Sequence, residues 1–245
     1  MLTTFFQLTW MLLLVFVVTG MAQSPAAGQA DSPEEFDEYL VVLLKTTPKE
    51  VISAAANFEK QWPRSELLAQ ILELKLEAYR SLGDPVNAIL AGERALKAAP
   101  DNLLVLTNMA YIIASSSNDR QQLVRAERYA RRELELSTKI RIPKRISLNE
   151  WDEMQGRQNS TAHATLGLVA YKRGDIAGAI KEFETAVKLA PAPAHYYRLG
   201  MLYRASGNES AAIEMLRRAV ASNDATIRQL AENELQSLSG THRSN

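Results

Sequence analysis

The chain reads as an all-α protein, an α-solenoid of antiparallel helix pairs stacked on one another, on three observations. One frame of small residues is written twice with the same spacing, Gly83, Ala88, Ala95, Pro100 and Gly174, Ala179, Ala186, Pro191. Hydrophobic residues make up 47% of the 245 residues, rich in Ala and Leu, as an ordered helical core requires. No alternating pattern long enough for a sheet emerges. Within each frame, Gly ends the first helix because it enters the left-handed conformation without a Cβ penalty. The two Ala residues are small surfaces for close helix contact, and Pro stops the second helix because it cannot continue the hydrogen-bond ladder. One such pair cannot bury its own apolar face, so neighbours must stack.

Taken in order, residues 1–22 are a separate segment. Phe5 to Val18 is apolar apart from Gln7 and Thr9, and Gly20-Met21-Ala22 places small residues where a signal peptidase needs them. This reads as a secretory signal, although no Lys or Arg precedes Lys45. About 20 apolar residues also suffice for an uncleaved anchor. The expected location is therefore exported, periplasmic or extracellular, with membrane anchoring by residues 1–22 as the alternative. Absence of Cys excludes both disulfides and a lipid-modified cysteine. Residues 23–32 read as a disordered linker, and residues 33–68 as a divergent helical hairpin that opens at Ser32-Pro33-Glu34-Glu35 and ends its second helix at Trp62-Pro63.

Residues 160–192 carry Leu166, Gly167, Gly174, Ala179, Phe183, Ala186 and Pro191; residues 193–224 carry Tyr196, Leu199, Gly200, Tyr203, Gly207, Ala212 and Ala219. In these copies a large-small step on the first helix faces a small residue on the second. The pattern resembles the tetratricopeptide repeat family, whose period calls for recognition before any other signal. Residues 69–102 follow it with Leu76 and Gly92 in place of the usual small and large residues. Residues 103–136 form a degenerate copy in which Ser115-Ser116-Ser117-Asn118-Asp119 replaces the Gly turn. Residues 137–159 are an insertion, a loop with Pro143 followed by a capping-box start at Ser147-Leu148-Asn149-Glu150. The insertion thus reads as a loop plus a helix extension; Gly156, Asn159, Ser160 and Thr161 are weak helix formers that leave two alternatives, a break before Leu166 or a continuous helix that would overhang the stack. Residues 225–239 carry an apolar stripe of Ile227, Leu230, Ala231, Leu235 and Leu238, a capping helix for the last repeat, and residues 240–245 read as a frayed tail.

Chemistry is sparse. The three histidines, His163, His195 and His242, form no metal-binding spacing, and the chain has no phosphate loop and no nucleophile elbow. No catalytic residue, metal or cofactor is expected, and the chain reads as a non-enzyme. The family resemblance implies a right-handed superhelix whose first-helix positions line a concave groove for a protein or peptide partner. Here those positions map to Gln70, Glu73, Glu77 and Arg80, then Leu104, Thr107, Tyr111 and Ser115. They continue with Thr161, Ala164, Leu168, Tyr171 and Lys172, then Tyr197, Met201 and Arg204. Glu73, Glu77, Tyr111, Tyr171, Lys172, Tyr197 and Arg204 are the candidate partner-binding residues, the tyrosines as rigid anchors. Some members clamp a terminal carboxylate with Lys, Asn and Arg. Glu73 and Glu77 stand where that clamp begins and would repel it.

Net charge is zero, so no bulk attraction to nucleic acid or membrane is expected. Residues 31–61 nonetheless hold seven acids against three bases, and residues 120–145 hold nine bases against three acids. Arg125, Arg128, Arg131 and Arg132 form a secondary basic face, read as a solvated helix surface with an anionic partner as the alternative. The function expected is a protein–protein interaction scaffold or adaptor. The alternative is an accessory subunit of an enzyme complex that holds a small ligand between repeats.

Overall fold

The computed structural model describes residues 29–140, 142 and 146–241. The candidate signal or anchor, most of the linker, part of the Pro143 loop and His242 lie outside them. The described residues form eleven α-helices and no strand. In chain order these are α1 (Pro33–Leu43), α2 (Pro48–Gln61), α3 (Leu68–Ser81), α4 (Pro85–Ala98), α5 (Leu103–Ser116) and α6 (Arg120–Ser137). They continue as α7 (Leu148–Lys172), α8 (Ile176–Leu189), α9 (Pro193–Ala205), α10 (Glu209–Val220) and α11 (Ala225–Thr241). The chain divides into two compact units, one reaching Ile112 and including Glu135–Asp152, the other made of Ile113–Leu134 and Glu153–Asn245.

In the first unit the chain is held in place earlier than the composition of residues 23–32 predicts. Gln29 N–H donates to Glu66 at 3.2 Å, and Asp31 N–H to the buried Glu35 carboxylate at 2.5 Å. Ser32 then caps α1 by accepting from Glu35 N–H. At α2, Thr47 and Glu50 form a reciprocal capping box, and Pro48 occupies the first turn, where its missing N–H costs nothing. Tyr39, Val42, Ala54, Ala55, Phe58, Leu67 and Ile71 bury one core between α1, α2 and α3. Phe58 is fully buried, which contributes about 1.5–3 kcal/mol.

Regular pairing depends on small residues. Gly83, Gly174 and Gly207 take positive φ of 69°, 81° and 80°, ending α3, α7 and α9, and Asp84, Asp175 and Asn208 cap the helices that follow. A Cβ on Gly167 would lie 2.6 Å from the Phe183 ring, and one on Gly200 would lie 2.8 Å from Leu216. Helix α7 therefore meets α8, and α9 meets α10, with a small residue on the first helix beneath a large one on the second. Between α3 and α4 the sizes are exchanged, since a Cβ on Gly92 would meet Leu76 and Met109.

Helix α7 is continuous through Gly156 and the polar residues after it, so of the two alternatives the chain takes the helix extension. It does not overhang freely from there on. A Cβ on Gly156 would lie 3.0 Å from the Leu189 carbonyl oxygen, and the buried Ser160 hydroxyl donates to the Ala186 carbonyl at 2.8 Å. These weak helix formers are the residues that let α7 lie against the end of α8. In the second unit α11 packs on α10 and α9, joining Ala231 and Leu238 to a core of Ala212, Leu216 and Ala219. It continues to Thr241, two residues into the expected tail.

Candidate functional site

In the first unit, the predicted groove residues separate into two groups. Glu73 on α3 accepts from Asn102 Nδ2 at 2.6 Å. Its carboxyl is raised by burial and by Glu77, against the lowering effect of Asn102. It is part of the packing beside Tyr39, whose phenol is raised by burial and by Glu73. Glu77 instead pairs with Arg80 one turn later, both about half exposed, a solvent-screened pair worth little stability. The Arg80 guanidinium also feels Tyr111 of α5, and Tyr111 is 41% exposed. Glu77, Arg80 and Tyr111 are thus a surface group. Thr107, predicted to line the groove, is buried and donates to the Leu103 carbonyl at 2.9 Å, since a hydroxyl on an inward helix face satisfies itself one turn back.

In the second unit Tyr171 is 50% exposed, as an anchor must be. Lys172 has a different task from the one predicted. Its Nζ donates to the Ser117 carbonyl at 2.8 Å and the Ser115 carbonyl at 3.3 Å. The turn after α5 has no glycine to close it, and Lys172 satisfies carbonyls that the helix end leaves open. Burial and the nearby Arg198 lower its pKa. Tyr197 is half-buried against the α10–α11 core, its phenol raised by burial. Arg204 pairs with Glu234 and reaches the Ser237 hydroxyl at 3.2 Å, so it fastens α11 to α9. Ala164 and Leu168, also expected to face the groove, are buried.

The basic segment is less open than its sequence predicts. The guanidinium groups of Arg125 and Arg128 lie 5.4 and 5.6 Å from the Tyr129 ring centroid, cation–π contacts that occupy part of their charge. Arg131 pairs with Glu127 at 2.8 Å, and Arg132 is half-buried with a partner of its own. An open cleft of about 560 Å³ lies instead where the start of α6 meets the end of α7. Asn118, Arg120, Leu123, Val124, Glu127, Lys172 and Arg173 line it. Glu127 is held ionised by Arg173 at 2.5 Å and by Arg131, which lower its pKa against the opposing effect of burial. Arg173 is the cleft residue that reading the sequence overlooked. Its signal was positional, because Lys172-Arg173 precedes one inter-helix turn and Arg120 follows another.

The two described histidines take part in packing contacts. His163 Nδ1 lies 2.7 Å from Glu182 Oε2, and His195 Nδ1 lies 3.3 Å from the Ser160 hydroxyl with its ring edge-on to Phe183. Burial, then Arg198, lowers the His195 pKa against a carbonyl of Ala190. Beside His163, Glu133 is fully buried with neither carboxylate oxygen hydrogen-bonded among the described residues, and burial pushes its pKa up to about 7. Among the described residues no group of His, Asp and Glu is placed to hold a metal ion, and no helix is long and apolar enough to cross a membrane.

Residues 165–226 match the tetratricopeptide repeat family model. No curated protein matches the chain. Among solved structures, MamA residues 41 to the end from Desulfovibrio magneticus RS-1 is similar at 17% identity with a TM-score of 0.59, over 80% of this chain and 100% of that one. PilW, a widely conserved type IV pilus biogenesis factor, is similar at 13% identity with a TM-score of 0.58, over 84% of this chain and 94% of that one. A thermophilic tetratricopeptide repeat protein of Thermus thermophilus is similar at 16% identity with a TM-score of 0.56, over 83% of this chain and 96% of that one. At such identities the likeness is one of fold. Residues 165–226 thus match the tetratricopeptide repeat family, and the helix pairs have the fold of the solved repeat protein from Thermus thermophilus.

Proposed function

We propose that this chain is a non-catalytic protein-interaction scaffold, exported or tethered through residues 1–22, whose first-helix faces hold segments of partner proteins. The observation that carries the reading is the exposure of Tyr111 and Tyr171 on helices whose remaining large apolar residues are mostly packed. A tyrosine exposed on a rigid helix gives a partner a broad contact area at small entropic cost, and aromatic residues dominate interface energetics. The repeat match and the fold support the same reading, because stacked helix pairs present side chains without assembling a reactive centre.

The test is photo-crosslinking from positions flanking Tyr111 and Tyr171 in cells that make the chain, compared with a Tyr111→Ala/Tyr171→Ala variant of equal abundance. Loss of a defined crosslinked protein from the variant supports the reading; an unchanged set of crosslinks overturns it. Amino-terminal sequencing of the fractionated chain tests the export reading. A mature start near Gln23 indicates a cleaved signal, an intact membrane-bound start indicates an anchor, and an intact soluble start overturns both.

A further inference from the structure

The cleft between α6 and α7 carries more positive charge than its structural tasks use. Of its cations, Arg173 is paired with Glu127, and Lys172 donates to the Ser115 and Ser117 carbonyls. The one lining carboxylate, Glu127, is already shared between Arg131 and Arg173. Arg120 is exposed, and its guanidinium makes no hydrogen bond or ion pair among the described residues. It stands at the first residue of α6, where the helix dipole disfavours a cation. A positive charge kept at an adverse position, with no internal partner, is available to a ligand. Arg198 on α9 lies near enough to disfavour the Lys172 charge, adding to the local excess.

The rest of the lining narrows the ligand. Val124 lies one turn beyond Arg120 on the same helix face and is 53% exposed above the buried Leu123, so an aliphatic contact sits beside the cations. No aromatic ring lines the cleft, which argues against single-stranded nucleic acid, whose bases need stacking platforms. A concave cleft holding a carboxylate is ill-suited to a bilayer surface. Its volume of about 560 Å³ suits a few residues of extended chain.

We propose that this cleft binds an acidic peptide segment of a partner protein, with a carboxylate on Arg120 and an aliphatic side chain on Val124. The site is separate from the tyrosine-bearing faces and rests on the scaffold reading for its partner class. Fluorescence anisotropy of the full chain with a labelled Glu-Asp-Leu-Asp-Glu peptide tests it, beside the Gln-Asn-Leu-Asn-Gln counterpart and phosphatidylglycerol vesicles. Arg120→Glu places a carboxylate where the helix dipole favours one, so the variant folds, and Arg120→Gln checks the charge effect alone. The expected result is acidic-peptide binding that weakens about tenfold in Arg120→Glu and falls with added salt, with little binding of the neutral peptide. Unchanged binding in both Arg120 variants overturns the cleft. If the peptide is then lost from Tyr111→Ala/Tyr171→Ala, the scaffold reading stands without it. Preference for vesicles over peptide, or no peptide binding at all, also overturns the proposal.

Discussion

Leu76 fills the space that Gly92 leaves: a Cβ at position 92 would lie 2.7 Å from Leu76 Cδ1 and would also meet Met109 Sδ. In the later repeats the small residue is on the first helix and the large one on the second, at Gly167 with Phe183 and Gly200 with Leu216. The contact between α3 and α4 is therefore the same pairing with its two sizes exchanged. Either order keeps the summed volume constant, which close-packed interiors demand.

That exchange makes a double-mutant prediction. Gly92→Leu alone overpacks a site bounded by Leu76 and Met109 and costs about 1–3 kcal/mol. Leu76→Ala alone leaves a cavity at a fully buried position and costs about 2–5 kcal/mol. The combination restores the later repeats' arrangement and should cost clearly less than the sum, as measured by urea unfolding. Additive losses would show that the two positions do not share one volume.

Glu133 predicts an unusual pH dependence. Because its folded pKa is raised to about 7, the native state binds a proton more tightly than the unfolded chain does. Its contribution to stability is complete below the ordinary carboxylate range and is lost as pH rises through about 7. Glu133→Gln should therefore stabilise the chain by on the order of 2 kcal/mol near pH 8 and have little effect near pH 4. Thermal melts of both proteins across that range check it, and an equal shift at every pH would refute the burial account. His195 acts in the opposite direction, since a lowered pKa removes stability as its ring is charged on acidification.

Lys172 closes the turn after α5 from a different helix. Lys172→Met keeps the aliphatic stem and removes the donor, leaving the Ser115 and Ser117 carbonyls to water at a cost of about 1 kcal/mol. Hydrogen exchange should rise at the end of α5 and the start of α6. Protection unchanged there would mean that the turn closes itself.

Removing α11 should expose Leu216, Ala219 and the rest of the last core, and should strip Arg204 of Glu234. The expected outcome for a chain ending at Asp224 is a lowered melting temperature and aggregation on size-exclusion chromatography, because a repeat stack needs a polar end. A monodisperse product with an unchanged melting curve would refute the capping role. Arg204→Ala should reproduce only a small part of the loss.

The scaffold was legible because its signals are local. A Gly that must take positive φ, a capping Asp three residues before the N–H it accepts, and a Pro past a helix end act within one turn of chain. They placed the helix pairs around Gly83, Gly174 and Gly207. The candidate site was less legible. Glu73, Lys172 and Arg204 occupy sequence positions that face a groove in the family pattern, yet each is engaged by another part of the fold: Glu73 by Asn102, Lys172 by the turn after α5, Arg204 by Glu234. No spacing within a single helix records such a partner.

By itself, then, the sequence determined an all-helical chain of antiparallel pairs, its turns and its caps, because those follow from backbone conformation and near-neighbour hydrogen bonds. Only the tertiary structure decided which charges are used up in holding helices together and which remain exposed, and that Gly156 would seat a helix instead of breaking it. The physical reason is that the fate of a long side chain depends on distant residues folded against it. Arg204 is engaged by α11, while Arg120 has no carboxylate folded onto it among the described residues.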